Sequence, residues 1–156
     1  MDATTRWLLA AVAANGLALG ATGDQAVKQL PARHRIGPVA YAQYVRAADL
    51  GTGVRWYPPL GIGSAAITLA AVAVALRFQP TPARATALGA AAAGTLGHLA
   101  TTACAAPVLL SLRRGELDPD PTRDVLDRFA GINAIRTAAM ALALGAVVRA
   151  LATASG

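Results

Sequence analysis

The chain predicts an all-α protein: an integral membrane four-helix bundle with an amphipathic helix at the interface between spans one and two. Three observations carry that fold class. Only 14% of the 156 residues are charged and 55% are hydrophobic, whereas a soluble domain carries roughly a quarter charged residues. The hydrophobic residues gather into four blocks, separated by connectors that hold the prolines and most of the charge. The longest block, residues 87–112, contains no Asp, Glu, Lys or Arg. About 26 helical residues at about 1.5 Å each are enough to cross a hydrocarbon core of roughly 30 Å.

The first span is expected over residues 6–27, with Trp7 at an interface. A cleaved signal peptide is the competing assignment, set aside because three more apolar blocks follow. Asp24 and Lys28 stand i,i+4 in the favourable order for an ion pair, although Asp24 turned inward would be an acid inside the bundle. Pro31, Gly37 and Pro38 are expected to break helix before an amphipathic segment over 38–50. Its Val39, Ala40, Tyr44, Ala47 and Ala48 lie opposite Gln43, Arg46 and Asp49. Gly51-Thr52-Gly53 is expected to end that helix. Arg55, Trp56 and Tyr57 then mark headgroup level, ahead of Pro58, Pro59 and a second span over 59–78.

Residues 79–82, Gln-Pro-Thr-Pro, form a turn. The third span is expected over 86–112, with Pro107 kinking it, and the Asp-Pro-Asp-Pro run (118–121) is expected to stop helix. Thr122 or Asp120 would cap a short helix leading into the fourth span, 128–151. Residues 1–156 thus read as one membrane domain. The connectors 28–56 and 113–128 hold most of the arginines, and the positive-inside rule puts both termini outside the cytoplasm of a multi-pass protein in a bacterial cytoplasmic membrane.

Two polar anomalies stand inside the apolar blocks. His98 sits near the middle of the third span. Asn133 and Arg136, i,i+3 on one face of the fourth, place a guanidinium roughly 12 Å below the helix start. Such an arginine costs at least about 2.5–3.5 kcal/mol unless paired or hydrated. Spans three and four run antiparallel, so Arg136 comes level with Thr102, one to two turns from His98. Thr95, His98 and Thr102 share a face. Together they predict a wet pocket between the two helices; equally, His98 and Asn133 would serve as interhelical glue, with Arg136 tied to a carbonyl freed near Pro107 or to Thr102.

Other chemistries are poorly served. The net charge of +6 is spread between apolar blocks, which fits topology and anionic lipid rather than nucleic acid. His34, the only other histidine, lies in an expected loop, so neither a metal nor a haem has a ligand set. Ser64 and Ser111 sit in ordinary helix contexts for a hydrolase nucleophile. Cys104 is the single cysteine; it is expected to pack inside its block and excludes an intrachain disulfide.

Several stretches carry a family resemblance: Gly16–Gly20, KQLPAR (28–33), RAADLGTGVRWYPPLGI (46–62), the His98…Thr102…Pro107 pattern and FAGINAIRT (129–137). In these the chain resembles the small four-helix integral membrane proteins grouped with the anthrone oxygenases, a family first catalogued as a domain of unknown function. The resemblance covers most of the chain, and N-x-x-R-T is its most specific part. It implies oxidation of an anthrone to an anthraquinone, with no cofactor and molecular oxygen as co-substrate. The expected catalytic residues are His98 as base with Asn133 and Arg136 stabilising enolate and peroxide anions. Thr102, Thr95, Trp56, Tyr57 and Asp24 are expected to bind substrate, and no residue to bind a metal. The partners implied are the bilayer, a lipophilic small molecule and, left open, a second copy of the chain. Two alternatives use the same pocket: a cyclase or isomerase of a terpenoid or epoxide with Asp24 or Asp49 as acid, and a non-catalytic small-ligand-binding membrane subunit.

Overall fold

The computed structural model describes residues 1–78 and 80–153. Gln79, the first residue of the expected turn, lies outside the described residues. Helix α1 spans Ala3–Asp24. Asp2 caps it: Thr5 N–H donates to Oδ1 at 2.7 Å, and that bond holds the Asp2 carboxyl below its usual range. A π-helical turn, Gln25–Gln29, carries the chain into α2, Leu30–Ile36. Gly37, at φ +88°, stops it in a conformation that favours glycine, and Pro38 opens α3, Pro38–Ala47. A second π turn, Ala48–Gly53, leads into α4, Val54–Leu76. Helix α5 covers Pro82–Leu110, and α6 covers Pro119–Ala152.

Three helical runs are long and apolar enough to cross a membrane: Pro38–Leu76, Pro82–Arg113 and Pro119–Ala152. Helix α1, expected as the first span, falls short among the described residues. Asn15, Thr22 and three glycines, Gly16, Gly20 and Gly23, dilute its Leu and Ala.

The connectors differ most from expectation. Pro31 does not break helix, because it follows a π turn in which the Leu30 N–H already reaches back five residues to Gln25 O. His34 is therefore helical rather than in a loop. Gly51-Thr52-Gly53 does not end the helix either; the chain stays helical from α3 through the π turn into α4. Gly53 is needed there, since a Cβ would come within 2.9 Å of the Tyr57 ring. Asp-Pro-Asp-Pro starts α6 instead of stopping it. Asp118 is the flanking residue, and Pro119 and Pro121 fall in the first turn, where backbone N–H groups have no helical partner to lose. The buried face of α3 is Tyr41, Ala42 and Val45, while Tyr44 and Ala47 are exposed. Cys104 is also exposed, on the outer face of α5.

Helix α6 packs along α5 and α1, and α4 along α1 and α5. One core cluster joins Leu8 and Ala11 of α1, Ala71, Val72 and Ala75 of α4, Ala87, Leu88 and Ala91 of α5, and Ala146, Val147 and Ala150 of α6. Starts of α1 and α5 therefore meet ends of α4 and α6. The other cluster is bulkier, with Leu30, Tyr41, Val45, Leu50, Leu112, Leu126 and Phe129. Small residues let α5 and α6 approach closely at Gly94, where a Cβ would lie 2.7 Å from Ala139 O and 2.8 Å from Ala143 N. Gly94→Val should destabilise the protein by about 1–3 kcal/mol, the usual range for overpacking. Gly89→Val, whose Cβ meets nothing within 4 Å, should melt in detergent close to wild type.

Candidate functional site

Along each long helix, the segment beyond the alanine-rich core borders a cavity of about 310 Å³. Its apolar lining includes Leu50, Leu60, Leu99, Leu109, Phe129 and Met140. The polar side chains on its wall come from six elements: Thr22 from α1, Gln25 from the first π turn, Asp49 from the second, Tyr57 from α4, His98 and Thr102 from α5, and Arg136 from α6. Pockets for small ligands have this make-up, a mainly apolar cleft with a few convergent polar groups.

Arg136 is held by two side chains. Its Nη2 donates to Gln25 Oε1 at 3.0 Å and to Asn133 Oδ1 one turn earlier. Its Cζ lies 5.9 Å from the centre of the Phe129 ring, within cation–π range. Gln25 is the pivot: while its oxygen accepts from Arg136, its Nε2 donates to Asp49 Oδ2 at 3.2 Å. An amide thus stands between a guanidinium and a carboxyl, and no ion pair joins Asp49 to Arg136 among the described residues.

His98 is 5% exposed, and a Cβ on Gly61 would come within 3.3 Å of its Nε2. Glycine at 61 therefore lets the α4 backbone approach that imidazole edge closely. Among the described residues, both His98 nitrogens, Thr102 Oγ1, Arg136 Nε and Asn133 Nδ2 are buried with no hydrogen-bond partner. Unpaired polar atoms in an interior carry a penalty of about 1–3 kcal/mol each. Three of the residues bearing them, His98, Thr102 and Arg136, line the cavity.

The cavity brings together only part of the residue set expected from sequence. His98, Thr102, Tyr57 and Arg136 line it, with Asn133 fully buried behind Arg136. Thr95 is buried outside the lining and donates to Ala91 O at 2.8 Å. Trp56 is 67% exposed and outside it as well. Asp24 pairs outward with Lys28 at 2.7 Å, and Gln29 donates to it at 2.6 Å. The glue arrangement differs too: His98 makes no bond to Asn133, and Arg136 is tied to Gln25 rather than to Thr102 or a carbonyl near Pro107.

Gln25 went unnoticed as a partner of this site, and Asp49 was expected there only as the acid of the isomerase alternative. Counting at 3.6 residues per turn puts Asp49 on a wet face with Gln43 and Arg46, yet it is 6% exposed. Both residues lie in π turns, which rotate side chains off the α-helical phase. A Gln and an Asp flanking apolar blocks that also hold an unpaired Arg were the available signal. Among the described residues, no group of three or more His, Cys, Asp and Glu is placed to hold a metal ion.

No protein-family model, curated protein or solved structure matches the chain. Residues 16–20, 46–62, 98–107 and 129–137 each contribute to the cavity wall.

Gln25→Leu should strand both Asp49 and Arg136 and destabilise the fold by about 1–3 kcal/mol. Gln43→Leu on the exposed face of α3 should stay within about 0.5 kcal/mol of wild type in the same detergent melt.

Proposed function

We propose that this chain is a four-span integral membrane protein, an up-down bundle, that oxidises a lipophilic polycyclic aromatic of the anthrone type with molecular oxygen and no cofactor. The observation that carries the proposal is the convergence of His98 and Arg136 on one largely apolar cavity. Its volume falls at the small end of the range of roughly 300–1,000 Å³ found for small-molecule sites.

Membrane insertion is supported by the apolar side chains left on the outside. Leu17, Ile62, Phe78, Leu96, Ile135 and Leu142 are all more than half exposed. Helix α1 joins the spans despite its composition because its polar residues are satisfied from within. Asn15 Nδ2 donates to Ala11 O at 2.9 Å and to Thr68 Oγ1 of α4 at 2.6 Å. With four spans, tags placed before residue 1 and after residue 156 should both be labelled by an impermeant reagent on intact cells. Labelling of only one would mean three spans.

The chemistry follows from the donor set. The methylene of an anthrone is acidic because its carbanion is delocalised over two rings and a ketone. His98, on the cavity wall, takes that proton. Arg136, held in place before the reaction by Asn133 and Gln25, stabilises the enolate oxygen in a dry site. The electron-rich enolate passes an electron to O₂, the two radicals combine at carbon, and the carbon-bound peroxide goes on to lose water and leave the quinone. Both O₂ and the substrate partition into lipid, which gives the location a purpose.

Asp49, on the same wall as His98, favours one competing activity: acid–base isomerisation or cyclisation of a terpenoid or epoxide. That reaction consumes no oxygen. Purified wild-type protein in detergent should convert an anthrone to quinone in air and not under argon. His98→Ala should reduce the rate above the spontaneous background by about 100-fold or more. Arg136→Lys keeps the charge but loses the planar fork, so it should lower turnover more than it lowers the yield of membrane-inserted protein. Equal rates from wild type and His98→Ala would remove His98 as base.

A further inference from the structure

We infer that Asp49 is the acid of the site, donating the proton that lets water leave from the substrate peroxide. The inference rests on the oxygenase proposal and concerns its last step. After oxygen adds, the carbon carries one hydrogen and one O–O–H group. Forming the C=O bond then breaks the remaining C–H bond and the O–O bond together, and the departing hydroxide must acquire a proton to leave as water. A base is needed at carbon and an acid at the distal oxygen in the same step. One imidazole cannot serve both atoms at once.

Among the described residues, Asp49 is the carboxyl on the cavity wall, buried comparably to His98. It reaches the cavity from the turn before α4, whereas His98 comes from α5. Its Oδ2 accepts from Gln25, leaving the other oxygen to carry a proton. The neighbouring cation is engaged elsewhere, since Arg136 bonds Gln25 and Asn133. The π turn that presents Asp49 is itself notable, because such turns recur at functional sites. Here two of them deliver the two members of the Gln25–Asp49 pair.

The balance closes. His98 takes the first C–H proton and returns it to the distal peroxide oxygen. It then takes the second C–H proton while the O–O bond breaks and Asp49 protonates the departing hydroxide. The imidazolium restores the Asp49 proton. The methylene carbon loses four electrons, O₂ gains four, and one oxygen ends in the quinone and the other in water.

The test is Asp49→Asn in the full-length protein, an isosteric change that keeps an acceptor for Gln25 and removes the acid. Oxygen uptake should persist at a rate close to wild type, while the ratio of quinone to substrate hydroperoxide falls by about 100-fold. The hydroperoxide is read by iodide oxidation and as a gain of two oxygen atoms in mass. Asp49→Glu, which keeps the acid, should recover most of the quinone, and it serves as the test variant should the asparagine protein not fold. Quinone formed by Asp49→Asn at the wild-type rate without hydroperoxide would overturn the role of Asp49 and leave the oxygenase intact. A folded Asp49→Glu protein that accumulates hydroperoxide as its main product would also overturn it. Wild-type protein that takes up no oxygen with the anthrone would remove the oxygenase proposal, and this inference with it.

Discussion

A guanidinium inside the apolar run of α6 is the constraint to which the surrounding structure answers. An arginine at that depth is tolerated only where its donors find acceptors or water. Asn133 supplies one acceptor from the same helix, one turn earlier, and Gln25 supplies another from the end of α1. The second bond crosses the fold, so it fixes where α1 must end and which way its last turn must face. Gln25 can then offer its amide hydrogens only to a further acceptor, and that acceptor is Asp49. One buried charge has drawn polar residues from two connectors into the interior. Removing Gln25 would leave Asp49 without its partner and Arg136 with Asn133 alone.

The two ends of the fold do different work. At one end the helices meet through Ala, Val and Leu, with Gly94 setting the closest approach of α5 to α6. At the other end Tyr41, Leu126 and Phe129 fill the core. Helices that touch through small residues at one end and through larger ones at the other leave space where the two regimes meet. The cavity adjoins the bulkier cluster, sharing Leu50, Ala105 and Phe129 with it. Its position is thus a packing consequence of where the sequence places alanine and where it places aromatic residues.

How much was legible in the sequence divides along the same line. The helical class, the three strongly apolar helices and the two anomalies His98 and Arg136 were readable, because an ionisable side chain in an apolar run needs no geometry to be noticed. Asn133 followed from its i,i+3 spacing to Arg136. The polar half contributed by the connectors was not readable. Asp49 and Gln25 sit in π turns; a pattern counted at 3.6 residues per turn assigns Asp49 to the wrong face, and Gln25 carries no pattern at all. Asp-Pro-Asp-Pro misled for a related reason: proline stops a helix from within but suits its first turn, and only the position of the helix start decides which applies. Trp56 and Asp24 were expected to bind substrate, whereas the first points outward and the second is engaged by Lys28 and Gln29.

Burial also changes what these groups can do. In water, an imidazole and a guanidinium beside a weak carbon acid would achieve little, since solvent would screen the charge and reorganise around the enolate as it formed. In an apolar cavity the same donors act at much lower effective dielectric, and their orientation is fixed in advance by folding. The buried atoms without partners, His98 Nδ1 and Nε2, Thr102 Oγ1 and Arg136 Nε, weaken the ligand-free fold. That penalty is recovered when a ligand supplies the missing partners, and it is recovered more fully by a charged oxygen than by a neutral carbonyl, because charge-assisted hydrogen bonds are the stronger ones. For the proposed anthrone substrate, this difference would favour the enolate over its parent ketone. That preference is the differential binding on which removal of a proton from carbon depends.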